Sequence, residues 1–340
     1  MGTKLTPEQI ANALNATTGE NKTNLDNTEI NVSLEELDSF GDKDSIKEMY
    51  ESVNDYNKML NEKITFINKA LTAALPFTRE NLYLMCAYSG HGKSTIAANI
   101  SYSLWKEKKK TLVISNEEPK QDVVYRIACL ELGYNFNDYK KGLMPKSKQL
   151  ECMKLYPSIC EYVKIIDVSY NNGISFTIEG IKNILMAVET ADYSAVMIDY
   201  FQQIKRSVKS PGRSGLDVLT ELRIWLGKYI RTSNIPVVLF AQLHSLAKRN
   251  NTELDSRIKD CPSVYETATV CVEVIPDFET KMTKFLIKKD RFGYQGMKID
   301  CAFERGKYVE VTAEHMAKVQ QQKIDGLLER AGVNIGDDDE

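Results

Sequence analysis

Nine residues, Ala87-Tyr88-Ser89-Gly90-His91-Gly92-Lys93-Ser94-Thr95, constrain this chain more than any other stretch. The apolar run Leu82 to Cys86 precedes them, and Ile96-Ala97-Ala98-Asn99-Ile100 follows. That is the order strand, glycine-containing loop, helix start. It matches the phosphate-binding P-loop, with Ala87 at the first position where Gly is more usual. A tight loop ahead of a helix turns several backbone N–H groups inward, where they cradle phosphate oxygens. Gly90 and Gly92 let the backbone turn closely. Lys93 is then expected to reach the β- and γ-phosphates of ATP, and the Ser94 hydroxyl to ligate Mg²⁺. Ala87, Ser89, Gly90, His91, Gly92 and Thr95 complete the expected cradle.

The rest of the composition narrows the setting. A chain of 340 residues with 43% apolar and 27% charged residues has room for one large α/β domain plus extensions, or two small domains. A net charge of −3 means that any nucleic-acid surface is local. The seven cysteines are scattered without a Cys-x-x-Cys pair, and there are only three histidines, so zinc is not expected. Free thiols suit a reducing cytoplasm. No apolar run approaches membrane-spanning length, and the first residues lack the apolar core of a signal peptide. A cytoplasmic protein is the expectation.

Residues 1–42 read as a polar, flexible extension; between 16 and 42 they carry seven acids and one lysine. In 43–62, Ile46, Met49, Tyr50, Val53, Tyr56, Met59 and Leu60 recur at helical spacing, which predicts an amphipathic linker helix. Its apolar stripe packs either on its own domain or on a neighbouring subunit. From 63 to 311 strand and helix patterns alternate. Strands are expected at Leu82–Cys86, Thr111–Ser115, Val163–Val168, Ser194–Ile198 and Pro236–Gln242. Helices are expected at Ser94–Glu107, Lys120–Leu132, within Ile174–Thr190, and at Leu216–Thr232. Met282–Lys288 and Met297–Phe303 read as a hairpin around Gly293 and Gly296. This order predicts a mostly parallel, doubly wound α/β sheet. A helix at Thr312–Arg330 and an acidic tip at 337–340 close the chain.

Further residues fall where such a sheet places ligands, at the carboxyl ends of strands. Ala195-Val196-Met197-Ile198 delivers Asp199, a second metal ligand to partner Ser94. Leu112-Val113-Ile114-Ser115-Asn116 ends on Glu117 and Glu118, either of which is placed to orient and deprotonate an attacking water. Pro236 to Ala241 delivers Gln242, suited to donate to a γ-phosphate. Two basic loops follow, one with Lys205, Arg206, Lys209 and Arg213, the other with Lys248, Arg249 and Asn250. They read either as a track for a nucleic-acid backbone or as solvated loops. Without interleaved aromatics, any such binding is weakly sequence-dependent. Phe285-Leu286-Ile287-Lys288 leads to Lys289 and Arg291, the arrangement of an arginine finger acting on a neighbour's nucleotide, or of ordinary surface charge.

In this order the pieces resemble the ATPase domain of DnaB-like hexameric replicative helicases, within the RecA-like P-loop superfamily. The resemblance runs from about Ile64 to Val311. Ser115-Asn116-Glu117-Glu118-Pro119 is similar to the family's Ser-Leu-Glu-Met-Pro, a register that selects Glu117 as the catalytic acid. Ile198-Asp199-Tyr200-Phe201-Gln202 is similar to its Ile-Asp-Tyr-Leu-Gln, Ala241-Gln242-Leu243 to its sensor motif, and Lys289-Asp290-Arg291 to its Lys-x-Arg. The resemblance implies a hexameric ring with ATP and Mg²⁺ at each interface. Lys289 and Arg291 then come from the neighbouring subunit, and single-stranded DNA is drawn through the centre 5′ to 3′. It implies that helix 43–62 docks on the adjacent subunit, and that primase, polymerase or a helicase loader are partners. Two stretches depart from the family: 73–78 lacks its Gly-Gly and Gly-Asp turns, and 260–266 lacks its Gly- and Gln-containing sequence. About forty polar residues stand where a helical collar is usual, as expected of a divergent, phage-encoded member. Two other classes stay open, a RecA-like recombination ATPase on single strands and a nucleotide-gated assembly or loading factor.

Overall fold

The computed structural model describes residues 51, 54, 65 and 67–330, apart from 76, 79, 168–176, 190–192, 205–214, 234, 245–252 and 292. The chain divides into two units, Met1–Asn61 and Glu62–Glu340. The second holds the fold. The polar extension, the acidic tip and both basic loops lie outside the described residues, as does helix 43–62 except for Glu51 and Asn54, both helical.

One sheet of nine strands organises the second unit, in the order β3-β2-β4-β5-β1-β6-β7-β8-β9. At its centre is β1 (Leu82–Ala87), buried along its whole length. A strand covered on both faces reads as a continuous apolar run, as Leu-Tyr-Leu-Met-Cys-Ala does. Parallel neighbours follow on both sides: β2 (Thr111–Ser115), β3 (Val163–Asp167), β4 (Ala195–Asp199), β5 (Val237–Gln242) and β6 (Val270–Asp277). Alternate β1 side chains feed two cores. Tyr83, Met85 and Ala87 pack with α2 (Lys93–Lys106), α3 (Lys120–Leu132) and α5 (Lys146–Tyr162). Leu82, Leu84 and Cys86 pack with α6 (Ile178–Glu189) and α7 (Gly215–Tyr229). A short α1 (Lys69–Ala74) precedes β1, and α4 (Phe136–Lys140) links α3 to α5.

Beyond β6 the sheet turns antiparallel through β7 (Met282–Asp290), β8 (Lys298–Glu304) and β9 (Lys307–Glu310). The expected hairpin is the β7–β8 pair. Helices α8 (Leu254–Arg257) and α9 (Val264–Thr267) fill the way from β5 to β6, and α10 (Ala313–Arg330) follows β9. Three elements fall outside the sequence reading. Helix α5 buries only Cys152 and Ile159 and carries Pro157 inside it, so its apolar stripe is thin and its breaker misleading. Strand β6 ends on Pro276 and Asp277 and contains the buried charge Glu273. Strand β9 is four residues long.

The sheet's hand fixes the site. The parallel strands β1, β2, β4 and β5 all end at one edge, which carries Ala87, Ser115, Asp199 and Gln242. Strand β7 runs the other way. Its end at Asp290 pairs with Val270, and Val270 pairs with Tyr83 near the start of β1.

Candidate nucleotide-binding site

The loop from Tyr88 to Gly92 joins β1 to α2 as the sequence predicts. Both of its glycines have positive φ, 76° at Gly90 and 85° at Gly92, a region open to glycine. Gly92 has a second constraint. A Cβ there would stand 2.9 Å from the hydroxyl of Tyr308, a buried β9 residue. Asn99 of α2 locks that strand against the loop's helix, donating to Gly306 O at 2.9 Å and accepting from Tyr308 N–H at 3.3 Å.

Lys93 opens α2 and is buried beneath the loop. Its ammonium lies 3.5 Å from Tyr88 O and 5.6 Å from the centre of the Tyr200 ring. Burial pulls its pKa down, against the opposing pull of Asp199 and Glu117. Asp199 ends β4 and is buried too. Burial pushes its carboxyl up to about 6, while a hydrogen bond with the Ser94 side chain works the other way. One Asp199 oxygen, Oδ1, is buried without a hydrogen-bond partner.

An unsatisfied carboxylate oxygen beside a hydroxyl suits a hard cation that keeps most of its shell as water and phosphate, which is how Mg²⁺ binds. Among the described residues no cluster of three or more His, Cys, Asp and Glu side chains offers an all-protein cage. Ser94 and Asp199 are therefore the residues that fit the metal.

The burial of Asp199 predicts a pH signature. Its folded pKa lies above the ordinary 3.8, so between about pH 4 and 6 the folded chain keeps a proton that the unfolded chain releases. Stability from this group is full below pH 4 and lost as pH rises through 6. Without metal, Asp199→Asn is expected to stabilise the protein at pH 8 by on the order of 2–3 kcal/mol and to do little at pH 4. Equal gains in melting temperature at both pH values would show that the buried charge is not the cause.

Strand β2 brings the acids. Asn116 ties its end to β4, donating its N–H to Asp199 O at 2.6 Å and its side-chain amide to Tyr200 O at 3.0 Å. Glu118 is engaged elsewhere, paired with Arg126 of α3, whose guanidinium stacks on Phe136 at 4.0 Å. Glu117 is exposed, and its charge acts on both Lys93 and Asp199. Of the two acids, Glu117 is thus the one available to a ligand on the loop. Arg126 stands on α3 with no nearby motif to announce it.

Gln242 ends β5 beside Ala87. Gln202 holds its backbone from both sides, accepting from Gln242 N–H at 3.2 Å and donating to Gln242 O at 3.1 Å. The chain then leaves for the basic segment 245–252 and returns. Leu243 bridges Ile258, and Lys259 N–H donates to Gln242 O at 2.9 Å. Arg257 anchors this stem. It makes a two-pronged pair with the buried Glu273 at 2.6 and 2.7 Å, and donates to the Tyr88 hydroxyl at 3.3 Å. A pair sixteen residues apart leaves no local sequence signal.

Lys289 and Arg291 are not brought to this edge. Lys289 donates to the carbonyls of Tyr265 and Glu266, at 2.8 and 2.9 Å. Burial, then Arg291, lowers its pKa. Arg291 is exposed just beyond β7. The six residues of β1 separate that level from the P-loop by about 20 Å.

Phosphate loop, buried carboxylate, paired strand-end acids and strand-end glutamine thus converge on one sheet edge. The family model described as "DnaB-like helicase C terminal domain" matches residues 69–309. The chain belongs to the DnaB-like helicase family. Members of this family are ATP-hydrolysing helicases. Among solved structures, the ATPase domain of a phage helicase is similar at TM-score 0.64 and 16% identity, over 78% of this chain and 99% of that one. A DnaB-like replicative helicase, solved for its interactions with primase, is similar at TM-score 0.63 and 16% identity, over 82% of this chain and 72% of that one. At these identities the two likenesses speak for the DnaB-like fold. No curated protein sequence matches the chain.

Proposed function

We propose that this DnaB-like chain is an ATP-dependent replicative DNA helicase that moves 5′ to 3′ on single-stranded DNA as a hexameric ring, with ATP and Mg²⁺ held between subunits. The observation that carries the reading is the separation within one chain. Lys93, Ser94, Glu117, Asp199 and Gln242 occupy one sheet edge, and Lys289 and Arg291 the other. Cations of the Lys-x-Arg kind serve a γ-phosphate only on contact, so these two serve a neighbour's nucleotide.

Each side chain then has a role. Lys93 and the loop N–H groups hold the phosphates; Ser94 and Asp199 hold the metal, which neutralises charge on those phosphates. Glu117 orients the attacking water and accepts its proton. Gln242 responds to the γ-phosphate and, through its backbone, to the stem of the basic segment at 245–252. Lys205, Arg206, Lys209, Arg213, Lys248, Arg249 and Asn250 are proposed to grip the strand's phosphates, in the cytoplasm of a bacterium or of a phage's host. A primase partner is proposed because the similar replicative helicase interacts with one.

A forked duplex with a 5′ tail tests the reading. Strand separation with ATP, and none on a fork with only a 3′ tail, is expected. Hydrolysis stimulated by single strands with no separation at any stoichiometry would select the recombination-type ATPase or the loading factor instead.

A further inference from the structure

A cavity of about 570 Å³ opens at the sheet edge away from the P-loop, beside Glu80 and Asn81 at the foot of β1. Four cations line it: Arg223, Lys228, Arg231 and Arg291. Two carboxylates share the wall, Glu80 and Glu266. Glu266 lies 3.7 Å from Arg223, whose Nη1 also donates to Thr267 Oγ1 at 3.2 Å. The close packing has a local cause. A Cβ on Gly227 would stand 3.1 Å from a Thr267 methyl, so glycine lets α9 settle against α7. Lys228, Arg231 and Arg291 are exposed, and among the described residues none of the three makes an ion pair.

A helix C-terminus favours cations, and the end of α7 explains Lys228 and Arg231 as far as that goes. It does not explain why Arg291, from the end of β7, faces the same cavity. Unpaired cations from two elements around one hollow fit a polyanion of phosphate size. The DNA-facing candidates lie elsewhere: segments 205–214 and 245–252 leave from the ends of β4 and β5, at the P-loop edge.

We infer that Arg231, with Lys228 beside it, is a further positioning cation supplied in trans to the phosphates of the nucleotide on the next subunit's P-loop. The inference rests on the shared-site reading above. Arg291 carries the contact in the Lys-x-Arg motif; Arg231 approaches the same phosphates from α7 and holds them in register.

Mixed assemblies test this. Arg231→Gln is expected to lower ATP turnover roughly ten- to hundredfold, the range for a lost hydrogen bond to a charged group. Excess Lys93→Ala subunits are expected to restore turnover in part, because each Arg231→Gln P-loop then faces an intact Arg231. Arg291→Ala mixed with the same partner is the control. Rescue of Arg291→Ala without rescue of Arg231→Gln overturns the inference and leaves the shared site standing. Rescue of neither overturns both. Unchanged turnover with weakened binding of labelled oligo(dT) also overturns it, by making Arg231 a DNA contact. Lys228→Gln, run in parallel, keeps the test decisive if Arg231→Gln melts early.

Discussion

Lys93→Ala is expected to bring ATP turnover down by at least about a thousandfold while leaving the fold intact, through lost stabilisation of the developing charge. The side chain does little for the folded state. Its ammonium has one long contact, 3.5 Å to Tyr88 O, and sits over the Tyr200 ring. Burial already lowers its pKa, so removing the charge relieves a desolvation cost. To a nucleotide it offers charge-assisted contacts worth about 1.5–3 kcal/mol each, and it stabilises the charge that grows as the γ-phosphoryl group leaves. Phosphate release and thermal melting together check the claim. A melting temperature that falls with activity would mean that Lys93 is structural. An unchanged turnover would dismiss the P-loop assignment.

The second large effect separates two adjacent acids. Glu117→Gln is expected to retain nucleotide binding and to lose hydrolysis by about 10²–10⁴-fold, the usual worth of a positioned general base. Glu118→Gln is expected to cost only a few-fold, through a weaker pairing with Arg126. Comparing a fluorescent nucleotide's affinity with single-turnover hydrolysis in both variants decides the matter. If Glu118→Gln is the more damaging, the roles are reversed and Arg126 modulates the catalytic acid rather than sequestering its neighbour.

The core of the site is readable in sequence because a parallel sheet sends every strand's carboxyl end to the same edge. An apolar run ending on Asp199 or Gln242 therefore states its location as well as its structure. The register of β2 against β4, Ser115 beside Asp199, follows from the same logic. What escapes reading depends on partners distant in sequence. The buried Glu273 interrupts β6 and is explained only by Arg257. Pro157 reads as a breaker inside a helix that tolerates it. Gly92 reads as a flexible loop residue, yet the Tyr308 hydroxyl from the far end of the domain also forbids a side chain there. The choice between Glu117 and Glu118 rests on family resemblance in the sequence and acquires a physical basis only with Arg126. The placement of Lys289 and Arg291 needs β6, since the antiparallel turn after it carries them to the opposite edge.

The length of β1 between Lys93 and Arg291 has a bearing on symmetry. In a two-fold dimer each surface meets a copy of itself. Two P-loop edges pressed together would leave both nucleotides without cations, and two cation edges would repel. On the shared-site proposal only a head-to-tail contact joins unlike edges, and a head-to-tail row has unlike ends. Its terminal P-loop faces solvent, and the cations at its other end face nothing. A row of any length leaves one nucleotide unserved, and closing the row is what gives the last subunit a partner.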